Sequence, residues 1–203
     1  MMDRFVARWR TATITVSKAV QRDAMATLRV PESKAPILYN GIDVGRFAPN
    51  AAAGMRLRQE WGVPEEAVLF VVPARLHPQK NPLGIARAAE KAAEEMAGTA
   101  TFRLAFVGKG KLEEELKKQA EESPHRDVFL FPGQRDDMPA VYNAADVMIL
   151  SSFKEGFSNA VVEALACGKP VIASDAGGNK EAISDSRYGW IHDPGDAEAL
   201  AAQ

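Results

Sequence analysis

A single cysteine, Cys167, occurs among the 203 residues, so no internal disulfide can form, and a reducing cytoplasm fits that usage. The three histidines, His77, His125 and His192, stand far apart in the sequence and show no metal-ligand spacing. Positive charge is not in excess. Lys and Arg number 25 against 27 Asp and Glu, a formal net charge of −2, which argues against a nucleic-acid partner, because that class calls for a strongly basic face. No apolar run approaches the ~20 residues that cross a bilayer, and Arg4, Arg8 and Arg10 interrupt the apolar core a secretory signal would need. No G-x-S-x-G marks a serine nucleophile, and neither an internal repeat nor a low-complexity tract is present. What is left is 46% hydrophobic and 26% charged, the balance of a soluble globular protein. The length suits one domain, or one domain plus a fragment, and the expected location is cytoplasmic.

From about Ala67 onward short apolar runs alternate with longer helical patterns. The runs cover 68–72, 102–107, 128–131, 147–150, 171–173 and 190–191; amphipathic stretches cover 83–96, 112–120 and 159–167. Most runs are β-branched or aromatic with little polar alternation, which predicts strands buried on both faces of a parallel sheet. Alternation of this kind implies right-handed βαβ crossovers and a doubly wound, Rossmann-like α/β domain. Ligands of that architecture bind outside the carboxyl ends of the strands. Upstream, 11–16 reads as a strand and 17–28 as a helix capped by Ser17. A short strand at 37–39, a turn at Asn40 and Gly41, a loop at 46–53 and a helix near 55–61 ended by Gly62 and Pro64 follow.

The segment from Glu155 to Glu163 follows the strand 147–150 and so lies where a ligand should. Gly156 allows a sharp turn and close backbone approach, Asn159 can cap the next helix, and Gly168 and Pro170 terminate it. Free N–H groups at the helix start suit a diphosphate. Glu163 sits among Val161, Val162, Ala164, Leu165, Ala166 and Cys167, where a lone carboxylate is costly unless hydrogen-bonded. A capping box would need its glutamate at Val162, one position earlier. A structural ion pair or a carboxylate accepting from vicinal hydroxyls both account for it. Arg75 and Lys80 flank a loop directly after the strand 68–72, where they could hold phosphate oxygens, although a basic loop is usually only solvated. Gly108 and Gly110 open like a dinucleotide fingerprint, but Glu113 occupies the third glycine position, and a tight strand-to-helix turn suffices. Gly177 and Gly178 form another such turn. Cys167, near a helix C-terminus, should not carry a lowered pKa.

Together these segments resemble the family-4 glycosyltransferases of the GT-B fold. Glu155 and Glu163, with seven residues between them, match the family's paired glutamates within EGFSNAVVEALACGKPVIASDAGGNKE; ARLHPQKN, VGKG, FPGQRDD and YNAADV follow the family's order, and ITVSKAVQRD and ILYNGIDVGRF are similar to its interdomain stretch. The resemblance implies that Arg75 and Lys80 bind the donor diphosphate, that Glu163 holds the ribose hydroxyls, and that Glu155 sits by the transferred sugar. It further implies that the amides of Phe157, Ser158 and Asn159 meet phosphate and sugar, that Gly108 lets the backbone approach the nucleotide, and that the loop with Gly133 and Arg135 borders the base. These groups are expected to share one hollow. The implied reaction is transfer from a UDP-, GDP- or ADP-sugar with retention, without a metal or cofactor, two fixed cations doing the electrostatic work.

The expected organisation is residues 1–35 as a remnant of an N-terminal domain and interdomain segment, and 36–203 as the donor-binding domain, its last helix cut short. The other GT-B half, ~170 residues on the usual domain scale, would carry the acceptor (glycan, glycolipid or small molecule), so the chain alone is expected to turn over poorly. Peripheral membrane association of a full enzyme and a homodimer both stay open. So do two other readings, an epimerase or phosphorylase of similar architecture and a non-catalytic nucleotide-sugar-binding or assembly module.

Overall fold

The computed structural model describes residues 11–96 and 101–203; Arg4, Arg8 and Arg10 lie outside them. Along the described chain run α1 (Lys18–Leu28), α2 (Ala51–Glu60), β1 (Val68–Pro73), α3 (Pro82–Glu95), β2 (Phe102–Val107), α4 (Glu113–Glu122), β3 (Phe129–Leu130), α5 (Met138–Ala144), β4 (Val147–Leu150), α6 (Asn159–Ala166), β5 (Val171–Ser174), α7 (Asn179–Ala182), β6 (Gly189–His192) and α8 (Ala197–Ala201). The six strands form one parallel sheet in the order β3-β2-β1-β4-β5-β6. The order reverses between β1 and β4, which opens a crevice at their carboxyl ends.

The apolar runs form strands because both faces of the sheet are covered. Leu69 and Val71 enter one core cluster with Leu57 of α2, Val141 and Tyr142 of α5 and Val161 and Ala164 of α6. Val72 enters the other with Ile85 and Ala86 of α3 and Leu116 of α4. Successive residues of β1 thus point into opposite cores, as the two-residue pleat requires. Burying each such side chain contributes about 2 kcal/mol. The foot of the sheet is fixed by Arg58, whose guanidinium donates to Ala144 O (3.1 Å), to Ala67 O (2.5 Å) and to Asp146 Oδ2 (2.8 Å). Asp146 Oδ2 also accepts from Leu69 N at 2.7 Å, joining α2, β1 and β4 in one polar knot.

Upstream of α2 the structure departs from the sequence expectations. The strand expected over 11–16 shrinks to a single parallel bridge between Thr15 and Ile37. Its partner lies within the chain, with Thr13 N donating to Lys34 O (2.7 Å) and Leu38 N to Thr15 O (2.8 Å). Asn40 and Gly41 do not turn. The turn comes after Asp43, whose Oδ1 accepts from Gly45 N (2.9 Å) and Arg46 N (3.0 Å), so the asparagine-glycine signal is overridden by an aspartate hydrogen-bonding ahead of itself. The loop expected over 46–53 ends early, because the Asn50 side chain accepts from Ala53 N and starts α2 at Ala51. Edge strand β3 keeps only Phe129 and Leu130 of the run 128–131.

Candidate functional site

Two loops meet above the β1–β4 crevice. After β1, Leu76 is buried, its N–H donating to Lys109 O at 3.0 Å and its carbonyl accepting from Leu112 N at 3.0 Å. The chain then makes a 3₁₀ turn, Pro78–Lys80, and Asn81 in the left-handed region (φ 53°) starts α3. After β4 comes the loop from Ser151 to Ser158. Gln79 stitches the two together, its Nε2 donating to Lys154 O (2.8 Å) and its carbonyl accepting from Phe153 N (2.9 Å). This seam sets Lys80 against Glu155, and the two form an ion pair with 18% and 10% of their side chains exposed. Sequence reasoning placed both residues at the site, and the structure adds that they are each other's partner. Arg75, one residue into the first loop, is exposed, and its side chain pairs with no other described residue.

Glycines hold these loops close. A Cβ on Gly108 would stand 2.1 Å from Ala74 O, and one on Gly177 2.0 Å from Glu155 O. What Gly108 visibly accommodates is therefore the neighbouring loop. Gly177, in the left-handed region (φ 58°), lets the loop after β5 press against the Glu155 carbonyl, and Gly178 N donates to Gly156 O at 2.9 Å.

Glu163 lies on α6, whose N-cap is Ser158 and not Asn159. Asn159 is displaced from capping because its Oδ1 accepts from Asn40 Nδ2 (2.7 Å), while its backbone is already helical. Glu163 Oε2 accepts from the Tyr142 hydroxyl at 2.7 Å. Neither a capping box nor an ion pair with another described residue holds it; the donor is a side-chain hydroxyl of the protein itself. It lines a hollow of about 120 Å³ with Asn40, Gly41, Ile42, Asp43, Phe47, Asn159 and Val162. Arg75 and Lys80 are not among those residues, so the expectation of one shared hollow is not met. The groups occupy two stations along one edge of the sheet. Between them, the N–H groups of Phe157, Ser158 and Asn159 donate to no described residue.

Gly133 (φ 77°) faces open space. Arg135 is engaged by Asp137 (2.7 and 2.8 Å) and Glu60 (2.6 Å). Those two carboxylates, Asp137 foremost, raise its pKa further, so its guanidinium ties the loop after β3 to α2.

Four contributors escaped the sequence reading. Ser17, expected only as a cap, also donates to Gly156 O at 2.9 Å. Glu181 accepts from Lys18 N (2.9 Å), Ala19 N (3.0 Å) and the Tyr39 hydroxyl (2.9 Å). Tyr39 packs on Phe157 with ring centroids 5.3 Å apart, and Tyr142 holds Glu163. No local pattern marks them, because each partner lies far away in sequence. Cys167 is buried, and burial first, with Glu163 adding, pushes its thiol up. The expectation of no lowered pKa holds, with burial as the cause. Among the described residues no three His, Cys, Asp or Glu side chains gather as metal ligands, and no helix is long and apolar enough to cross a membrane.

Comparison with known proteins adds three kinds of likeness. The family model described as glycosyl transferases group 1 matches residues 55–203. The UDP-Gal:alpha-D-GlcNAc-diphosphoundecaprenol alpha-1,3-galactosyltransferase of Escherichia coli is 29% identical over 201 residues, covering 98% of this chain and 51% of that protein. D-inositol 3-phosphate glycosyltransferase 2 of Catenulispora acidiphila is 34% identical over 173 residues, covering 80% of this chain and 40% of that protein. The crystal structure of Anabaena HepE in complex with UDP and glucose superposes with a TM-score of 0.85 at 26% identity, covering 97% of this chain and 53% of that one. The chain spans about half the length of the curated relatives it matches.

Proposed function

The chain belongs to the group 1 glycosyl transferases, and from that premise we propose that it supplies the donor-binding half of a family-4 enzyme that moves a sugar from a nucleoside-diphosphate sugar to an acceptor with retention of configuration. The observation that carries this reading is the Lys80–Glu155 pair, held by stitched loops at the point where the strand order reverses. A cation and a carboxylate fixed side by side there suit a ligand whose diphosphate adjoins a sugar. Arg75, unpaired among the described residues, and Lys80 would take the phosphate oxygens. As the bond from the sugar C1 to phosphate breaks, charge gathers on the departing oxygen, and fixed cations stabilise it. These two side chains would do so without a metal ion. Glu155 faces the sugar, and Glu163 accepts from the ribose hydroxyls within its hollow. The relatives' printed names and the UDP bound to HepE support a nucleotide donor of this class. Residues 1–35 as an interdomain remnant and 36–203 as the donor domain form part of the same reading, as do a cytoplasmic location and an acceptor carried by the other half.

Isothermal titration with UDP, GDP and ADP tests it. One of the three should bind the folded chain, and Lys80→Ala should weaken that binding by about tenfold to a hundredfold, the worth of one charge-assisted hydrogen bond. Wild-type protein that binds none of the three, or a Lys80→Ala variant with wild-type affinity, would refute the assignment.

A further inference from the structure

We infer that Tyr142 is a positioning residue, whose hydroxyl fixes the Glu163 carboxylate so that one oxygen is presented to the ligand; the inference rests on the donor-site reading above. Glu163 sits on a helix of apolar residues, where a carboxylate without a donor is costly and free to take another rotamer. Among the described residues its only side-chain donor is Tyr142, at 2.7 Å to Oε2. Oε1 accepts from none of them and is the oxygen left for an incoming hydroxyl.

The donor is itself firmly placed. Tyr142 is 1% exposed, and its ring packs against Phe47 with centroids 6.0 Å apart at 59°. Phe47 in turn lines the hollow that Glu163 faces. Burial first, and then Glu163, hold the phenol pKa far above its usual value, so the group remains a donor throughout the working range. A buried phenol that stays protonated thus connects the core to the one carboxylate of α6. Its ring belongs to the packing of the core, whereas its hydroxyl does nothing visible except hold Glu163. Removing that oxygen alone separates the two roles.

The test is a double-mutant cycle on nucleotide affinity, with Tyr142→Phe, Glu163→Gln and the pair, using whichever of UDP, GDP and ADP binds the wild type. Phenylalanine keeps the ring that packs on Phe47, so the variant should still fold, its melt lowered by no more than the loss of one hydrogen bond. Tyr142→Phe is expected to weaken the nucleotide about tenfold, the scale of one hydrogen bond to a charged group. If it acts through Glu163, the double variant binds no more weakly than Glu163→Gln alone. The penalty of Tyr142→Phe should also vanish for the 2′,3′-dideoxy form of the same nucleotide, which has no hydroxyls for Glu163 to accept from. A purely structural tyrosine would instead give losses that multiply in the double variant and persist with the dideoxy form, and either result overturns the inference. Wild-type affinity of Tyr142→Phe does the same while leaving the donor site standing. Failure of the wild type to bind any of the three nucleotides removes both.

Discussion

Replacing Glu181 by glutamine should loosen the hold of α1 on the sheet, and the loss should depend on pH. The Glu181 carboxylate takes the N–H groups of Lys18 and Ala19 at the start of α1 and the hydroxyl of Tyr39. Glutamine keeps one acceptor oxygen but turns an NH₂ group toward a donor and removes the charge. A hydrogen bond to a charged group is worth about 1.5–3 kcal/mol, and an anion at a helix N-terminus about 0.3–1 kcal/mol. Partial exposure of Glu181 screens both, which leaves about 1.5 kcal/mol at neutral pH. Burial by itself would raise the carboxyl, but the two amides, Tyr39 and Arg22 outweigh it, so the folded group titrates below its ordinary 4.5. A depressed carboxyl contributes stability that is fully present above the unfolded pKa and is lost as pH falls through the folded pKa. Urea denaturation of wild type and Glu181→Gln from about pH 7.5 down to about pH 3.5 measures this. The gap between the two curves should be constant down to about pH 5 and then close as the wild-type carboxyl protonates. A gap that is the same at both extremes, or absent at neutral pH, would refute the assignment of the clamp to charge.

Gly177→Ala should cost about 3 kcal/mol or more, because a Cβ there meets the Glu155 carbonyl at 2.0 Å in a left-handed residue, whereas Gly133→Ala, left-handed in open space, should cost about 1 kcal/mol. Equal melting points for the two variants would contradict the loop-packing argument. Arg58→Ala should destabilise by about 3 kcal/mol, since it strips two backbone carbonyls of their guanidinium donor and leaves Asp146 without its cation, and Arg58→Lys should recover less than half of that in the same urea titration. Cys167 should resist a thiol-reactive disulfide reagent at about pH 8 until the chain is unfolded, because burial keeps its thiol inaccessible and protonated; rapid reaction of the native protein would overturn this.

The sheet was legible because parallel strands carry their signal within themselves. Residues 102–107, apolar but for Arg103, and the wholly apolar 147–150 stand in the structure with those same bounds, and Leu69 and Val72 could be assigned to a core without knowing which helix covers them. The Glu155–Glu163 segment was legible for a related reason, since a carboxylate flanked by Val162 and Ala164 is an anomaly in any helix. The fastenings of the site were not legible. Tyr142 meets Glu163 across 21 residues, and Glu181 meets Lys18 across 163, separations at which a single sequence offers no periodicity to read. Asn40 and Asn159 illustrate the competition that results. Each carries a strong local signal, a turn and a cap, and they hydrogen-bond to each other instead, a tertiary contact outweighing two local preferences.

The separation of Glu163 from Arg75 and Lys80 into two stations becomes intelligible along the loop that joins them. Glu155 pairs with Lys80 at one end, the N–H groups of Phe157, Ser158 and Asn159, which donate to no described residue, follow, and Glu163 faces its hollow at the other end. On the proposed reading a nucleotide sugar presents the same sequence of chemistries: a sugar, then a diphosphate, then a ribose. A compact hollow gathering both glutamates and both cations would suit a small polyanion, whereas an extended ligand needs hydroxyl acceptors at its ends and donors at its middle. The Lys80–Glu155 pair then has a definite role before any ligand arrives. Each charge neutralises the other. On the proposed reading, an arriving diphosphate would draw Lys80 toward its oxygens and so free the Glu155 carboxylate for the sugar.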